Sequence, residues 1–154
     1  LDEDVVQPLR VVLDGNGQLD PSARLFSEPG DVLVITSRED DEGYGFDART
    51  EQVCLRGGDG RVDVAGVLDI LAARSCNEVL VEAGAGVAGA FVSRGLVDEI
   101  WVYQSSDILG SGGRGMFVMR GIRSIGDRVR FELKEVSRIG RDLRLIYSPS
   151  REGE

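Results

Sequence analysis

A glycine-rich stretch near the middle of the chain has the spacing of a phosphate-binding turn. Residues 84–89 read Gly-Ala-Gly-Val-Ala-Gly and match G-x-G-x-x-G, directly after a predicted strand and at the start of a predicted helix. Positions without side chains let the backbone approach a diphosphate, while the first N–H groups of a helix and its dipole favour an anion. The pattern predicts a dinucleotide-binding turn. The structural alternative is a tight turn that needs glycine for its geometry alone.

A carboxylate stands just before this turn. Glu82 ends the run Glu-Val-Leu-Val-Glu at 78–82, which predicts a strand. A carboxylate at the end of a strand, beside a cofactor turn, can accept hydrogen bonds from sugar hydroxyls and orient a carbon that receives hydride. The alternative is that Glu82 caps nearby backbone N–H groups. Asp107 lies where a dinucleotide site would place its ribose-binding acid, but it is more simply a turn residue before a glycine-rich loop.

The composition narrows the chemistry that the chain can perform. The 154 residues include no histidine, which excludes imidazole bases and most zinc sites, so any catalysis must use carboxylates, a cofactor or both. No metal site is predicted. A net charge of -9 disfavours nucleic acid and anionic membrane surfaces as partners. Two separate cysteines, Cys54 and Cys76, are typical of a reducing cytoplasm, and no apolar run has membrane-spanning length.

Hydrophobic periodicity predicts the elements that must position these residues. Apolar runs predict strands, and apolar positions three and four residues apart predict a helix capped by Asp63. In chain order the predicted elements are strands 9–14, 31–37 and 52–55, helix 63–74, strand 78–82, helix 87–94, strand 98–105, and hairpin strands 129–137 and 143–147. We therefore predict one α/β domain with a mixed, mostly parallel sheet, flanking helices and a C-terminal antiparallel β-hairpin.

Three arginines near the end of the chain have alternative roles. Arg114 lies in the glycine-rich loop that follows strand 98–105, where it could contact a ligand phosphate or belong to a mobile connector. Arg141 and Arg144 on the hairpin are expected to be solvated.

Strand 98–105 contains neighbouring apolar and aromatic residues and is therefore expected to be buried on both faces.

The chain resembles the C-terminal reductase domain of the bifunctional riboflavin-biosynthesis deaminase/reductase. The resemblance extends over nearly the whole chain and is carried, in order, by residues 7–14, 81–84, 88–91, 95–99 and 109–110. It implies a dihydrofolate-reductase-like fold and NADPH-dependent reduction of the ribosyl group of 5-amino-6-(5-phosphoribosylamino)uracil to a ribityl group. It also implies a phosphorylated pyrimidine substrate and a homodimer.

The resemblance also assigns site residues. Glu82 is similar to the family's substrate-contacting glutamate, and its NADPH-binding stretch corresponds to Gly84, Ala85, Gly86, Val87, Ala88, Gly89 and Ala90. Gly15 stands where the family often has a serine near NADPH, so a backbone contact is expected there without the hydroxyl. No catalytic residue is assigned.

The chain is expected to be an incomplete version of the family's protein. It starts at Leu1 where the family's domain is already under way, so the opening strand and most residues for the substrate's phosphate and pyrimidine are expected to be absent. The zinc signature of the deaminase cannot occur without histidine. Two other hypotheses remain open: a reductase of the same fold with another, pterin-like substrate, and a catalytically incomplete fragment with exposed backbone and apolar surface.

Overall fold

The structure, a computed structural model, describes residues 7–38 and 46–150. It divides into two compact units, Leu1–Asn77 and Glu78–Glu154, called below the N-terminal and the C-terminal unit. The strands and α-helices are, in chain order, β1 Arg10–Asp14, β2 Val32–Thr36, β3 Thr50–Cys54, α1 Val64–Ala73, α2 Ala85–Ser93, β4 Ile100–Gln104, β5 Phe131–Ile139 and β6 Asp142–Pro149. Short 3₁₀ turns lie at Arg24–Phe26 and Ile125–Asp127.

The N-terminal unit is a parallel sheet with one helix packed on it. The strand order is β1-β2-β3, and every residue of the central strand β2 is buried. Leu33 and Ile35 of this strand form the core with Val67 and Leu71 of α1. The prediction of α1 is confirmed, because apolar side chains spaced along one helix face meet the sheet and the Asp63 carboxylate accepts a hydrogen bond from the Ala65 N–H at 3.4 Å.

The three parallel strands end at a common edge. Asp14 pairs in register with Thr36, and Thr36 with Cys54. The carboxyl ends of parallel strands therefore bring the residues that follow them to one side of the sheet. Gly15, which follows β1, lies at this edge.

The C-terminal unit contains α2 and an antiparallel sheet. The strand order is β4-β6-β5, so the C-terminal hairpin β5–β6 is extended by β4 along β6. The predicted hairpin is confirmed, with Gly140 at a φ of 61° in its turn. Helix α2 begins at Ala85, two residues before the predicted start, and ends at Ser93, one residue before the predicted end. Gly95 follows the C-cap residue Arg94 with a φ of 66°, which confirms its predicted role as the C-terminal stop.

The predicted strand over 78–82 is wrong. These residues precede α2 without pairing with any strand of the described ranges, and Leu80 at the centre of the run is 84% exposed. An apolar run predicts burial, but a strand also needs a neighbour that completes its ladder of hydrogen bonds. Among the described segments, none supplies this ladder.

Two predictions about side-chain exposure are also wrong. Trp101 and Tyr103 of β4 are 52% and 62% exposed, because an antiparallel sheet can leave one face open to solvent. Arg144, expected to be solvated, is 26% exposed in its side chain. Its guanidinium lies 5.2 Å from the centre of the Trp101 ring and pairs with Glu135 at 2.6 Å.

Candidate active site

The N-terminus of α2 is open to an anion. Gly84 is the N-cap residue and has no side chain to cap the helix. The first intrahelical bond runs from the Ala88 N–H to the Gly84 carbonyl at 3.1 Å, so the N–H groups of Ala85, Gly86 and Val87 have no acceptor within the helix. The first turn contains no acidic residue. These donors and the helix dipole together favour a bound anion.

Gly84 and Gly86 leave open space beside this turn. A Cβ atom at either position would have no neighbour within 4 Å beyond its own helix and adjoining residues. The backbone at Gly84 has a φ of -65°, which any residue adopts, and Gly86 lies within the helix, where glycine is less stable than alanine by about 1 kcal/mol. Neither backbone conformation nor packing within the described chain requires glycine at these positions. The open surface fits the close approach of a diphosphate.

Gly89 serves a different purpose. It is buried, and a Cβ atom there would lie 2.3 Å from the carbonyl oxygen of Val118. The Val118 N–H also donates a hydrogen bond to the Ala85 carbonyl at 2.8 Å. Gly89 therefore lets the backbone of Val118 pack directly on α2, and the structure gives it a packing contact where the sequence predicted a cofactor contact.

The other residues of the predicted NADPH-binding stretch divide between two turns of α2. Ala85, Gly86 and Val87 form the first turn, with its available N–H groups, and Ala88 and Ala90 lie in the second. The Ala88 N–H is already bonded to the Gly84 carbonyl. Backbone contacts to a ligand are therefore concentrated at the start of the predicted stretch.

Glu82 lies two residues before the N-cap and is exposed. Its carboxylate makes no hydrogen bond or ion pair with a residue in 7–38 or 46–150. The structural alternative, in which Glu82 caps backbone N–H groups, is therefore absent from the described part of the chain. The carboxylate is available to a ligand beside the glycine turn.

Gly15 belongs to the N-terminal unit, whereas Glu82 and the glycine turn belong to the C-terminal unit. The Gly15 carbonyl accepts a hydrogen bond from the Ser37 hydroxyl at 2.7 Å. A Cβ atom at Gly15 would lie 3.8 Å from the Ser37 Oγ and from a methyl group of Val62, which is ordinary contact. The sheet edge therefore has room for a small side chain at this position.

Asp107 links the loop after β4 to the hairpin turn through its carboxylate. Its Oδ2 accepts hydrogen bonds from the Arg141 guanidinium at 2.8 Å and from the Ser105 hydroxyl at 2.9 Å. This arrangement agrees with its interpretation as a turn residue. It also gives Arg141 a partner on the loop after β4.

Within the described ranges, no cluster of three or more potential metal ligands is found. The helices described there are also too short or too polar to cross a membrane. Both cysteines are free thiols.

Comparison with known proteins identifies the family. The family model described as the RibD C-terminal domain matches residues 2–145. The chain belongs to this family. This RibD C-terminal domain is 31% identical over 137 residues to the riboflavin biosynthesis protein RibD of Escherichia coli. The alignment covers 89% of the chain but 37% of that protein. It therefore spans little more than a third of that relative's length.

Two further comparisons support the fold and the reductase relationship. The RibD C-terminal domain is 26% identical over 144 residues to the 5-amino-6-(5-phosphoribosylamino)uracil reductase of Buchnera aphidicola from Acyrthosiphon pisum, covering 94% of the chain and 69% of that protein. The solved structure of Acinetobacter baumannii RibD, form 2, superposes with a TM-score of 0.77 at 28% identity, over 93% of this chain and 38% of that one. The predicted dihydrofolate-reductase-like α/β fold, with parallel and antiparallel strands, flanking helices and a C-terminal hairpin, is confirmed.

The contact between Val118 and α2 was not predicted from the sequence. Val118 lies in a region without regular secondary structure, and no local pattern relates it to Gly89. The third glycine of G-x-G-x-x-G is the available signal, because in dinucleotide-binding turns it allows close packing of the helix. That signal identifies the helix surface but not the segment that packs on it.

Proposed function

We propose that this protein is an NADPH-dependent reductase that converts the ribosyl group of 5-amino-6-(5-phosphoribosylamino)uracil to a ribityl group. One observation carries the proposal: a member of the RibD C-terminal domain family has an open glycine turn at the N-terminus of α2, preceded by the unpaired carboxylate of Glu82. The Buchnera relative named as this reductase covers 94% of the chain. The protein is proposed to act as one reductase domain, as a homodimer and in the cytoplasm.

The glycine turn would hold the cofactor. The N–H groups of Ala85, Gly86 and Val87 donate to the diphosphate, and the side-chain-free surface of Gly84 allows its approach. For Gly15, in the N-terminal unit, the proposal rests on the resemblance alone, which implies a backbone contact to the cofactor. When bound, NADPH supplies the hydride that reduces the ribosyl group.

Glu82 would bind the substrate. Its carboxylate accepts hydrogen bonds from hydroxyl groups of the opened ribose and fixes the carbon that receives hydride. It is exposed and has no partner in the described ranges that would compete with these hydroxyls. Glu82 is thus a positioning group, and no side chain is assigned a proton-transfer step.

The test compares Glu82→Gln with Glu78→Gln. Both residues are exposed in the same segment before α2, and both substitutions remove one negative charge. We expect Glu82→Gln to lower kcat/KM for the phosphoribosylamino substrate about tenfold or more, because a charged hydrogen-bond acceptor is lost, and Glu78→Gln to retain wild-type activity. Equal rates for Glu82→Gln and the wild type would contradict the role of Glu82.

A catalytically incomplete fragment is the second candidate. The exposed and unpaired segment 78–82 is the feature that this alternative predicts. Titration of the protein with NADPH, followed by the fluorescence of its single tryptophan, separates the two. Saturable binding by a well-folded protein supports the reductase, whereas absence of binding supports the fragment.

A further inference from the structure

The loop after β4, residues 105–117 and called here the arginine loop, is fixed at both ends within the C-terminal unit. At its start, Asp107 pairs with Arg141 of the hairpin turn at 2.8 Å. At its end, the next residue, Val118, donates its N–H to the Ala85 carbonyl in the first turn of α2 at 2.8 Å. The loop therefore runs from the antiparallel sheet to the glycine turn.

The attachment to α2 depends on backbone atoms. The Val118 carbonyl oxygen lies where a side chain at Gly89 would begin, 2.3 Å from the position of a Cβ atom. Such close contact requires that the helix present no side chain at that position. The backbone of Val118 thus contacts both Ala85 and Gly89 and holds the end of the arginine loop on the first two turns of the helix.

Arg114 is the only charged side chain inside this loop after Asp107. It is exposed, and its guanidinium makes no hydrogen bond or ion pair with any residue in the described ranges. The sequence from 108 to 126 contains Arg114, Arg120 and Arg123 and no acidic residue, in a chain of net charge -9. A local excess of positive charge therefore lies in the segment that packs on the positive end of α2.

The chain length brings Arg114 within reach of the glycine turn. Arg114 precedes Val118 by four residues, and four extended residues span at most about 14 Å. A Cβ atom added at Gly110 or Gly112 would meet nothing within 4 Å, and one at Gly113 would meet only the Gly110 carbonyl oxygen at 3.8 Å, so no side chain packs against these glycines. The chain length therefore permits Arg114 to reach a ligand at the N-terminus of α2.

We propose that Arg114 binds a phosphate monoester dianion of a ligand whose remaining phosphates or sugar lie at the glycine turn. Guanidinium groups bind phosphate oxygens through paired, charge-assisted hydrogen bonds. This inference rests on the proposed function, which offers two sources of the dianion: the 2′-phosphate of NADPH and the phosphate of the substrate. Arg114 would then determine specificity for a phosphorylated ligand, in addition to the backbone contacts of α2.

The test uses Arg114→Gln, with Arg120→Gln as the matched control. Arg120 is exposed in the same acid-free stretch, so its substitution removes the same charge without removing the proposed contact. Kd is measured for NADPH and NADH, and KM for the phosphorylated substrate and its dephosphorylated form. Arg114→Lys tests whether the paired geometry is needed.

Two ratios are compared between the variant and the wild type: the Kd for NADPH over that for NADH, and the KM for the phosphorylated substrate over that for its dephosphorylated form. The source of the phosphate decides which of them changes. If Arg114 binds the cofactor, Arg114→Gln weakens NADPH binding about tenfold or more and leaves NADH binding unchanged. If it binds the substrate, KM rises to a similar extent for the phosphorylated form alone. The inference is overturned if both ratios match the wild type, as for a simple connector, or if Arg120→Gln causes the same loss. A wild-type protein that fails to bind NADPH would overturn the proposed function and this inference together.

Discussion

The carbonyl oxygen of Val118 fills the place that a side chain at Gly89 would need, 2.3 Å from the position of its Cβ atom. Because the nearest atoms are the backbone O, C and N of Val118, the contact cannot be relieved by a change of rotamer. We expect Gly89→Ala to destabilise the protein by about 1–3 kcal/mol, as overpacking does. Thermal or denaturant unfolding of the variant measures this loss. A midpoint equal to that of the wild type would show that Val118 moves away from α2 at no cost.

Gly86→Ala should have the opposite effect on stability. A Cβ atom there has open space, and alanine favours a helix over glycine by about 1 kcal/mol. If the first turn of α2 binds the diphosphate of NADPH, the added methyl group hinders the close approach of the ligand. The expected result is a raised unfolding midpoint together with weaker NADPH binding. Unchanged affinity in a stabilised protein would place the cofactor elsewhere.

The sequence predicts those parts of this structure that depend on local pattern. The apolar run of β2 gives a central strand, and the spacing of Val67 and Leu71 gives a helix that covers it. Gly95 marks the end of α2 because its left-handed backbone favours glycine. In each case the decisive information lies within a few residues along the chain.

The remainder depends on partners that are distant in sequence. An apolar run at 78–82 predicts a strand, but only a neighbouring strand can complete its hydrogen bonds. The exposure of Trp101 depends on which face of β4 is covered, and the contact of Gly89 with Val118 joins a helix to an irregular loop. For the candidate site, the glycine pattern predicts the turn, whereas the structure separates Gly84 and Gly86, which leave open space, from Gly89, which packs.

Gly15→Ser tests the sheet edge of the N-terminal unit. A Cβ atom there makes ordinary contacts at 3.8 Å, so stability should change by about 0.5 kcal/mol or less. The resemblance places a serine near NADPH at this position, and the added hydroxyl is therefore expected to strengthen NADPH binding severalfold through one further hydrogen bond. Gly15→Ala, which adds the Cβ atom without the hydroxyl, is the control. Equal affinities for the serine and alanine variants would remove Gly15 from the proposed site.

Acid should weaken the β5–β6 hairpin through Glu135. A hydrogen bond from the Ser137 hydroxyl, followed by the hydrogen bond and charge of Arg144, lowers the pKa of the Glu135 carboxyl below its ordinary value of 4.5. Since the pKa in the folded state is lower than in the unfolded state, the stabilisation is complete above pH 4.5 and is lost as the pH falls through the folded-state value.

Glu135→Gln isolates this contribution because glutamine does not titrate. Denaturant midpoints measured between neutral pH and about pH 3 should fall less steeply for Glu135→Gln than for the wild type. Asp20→Asn is the matched control, since the pKa of Asp20 is also lowered, by hydrogen bonds from Ser22, but it lies in the N-terminal unit. The guanidinium of Arg144 lies over the Trp101 ring, so the near-ultraviolet circular dichroism of Trp101 reports on this ion pair. As the pH falls, this signal should change together with the loss of stability in the wild type and in Asp20→Asn. If the Trp101 signal responds to acid equally in Glu135→Gln, the ion pair of Glu135 with Arg144 does not couple the hairpin to pH.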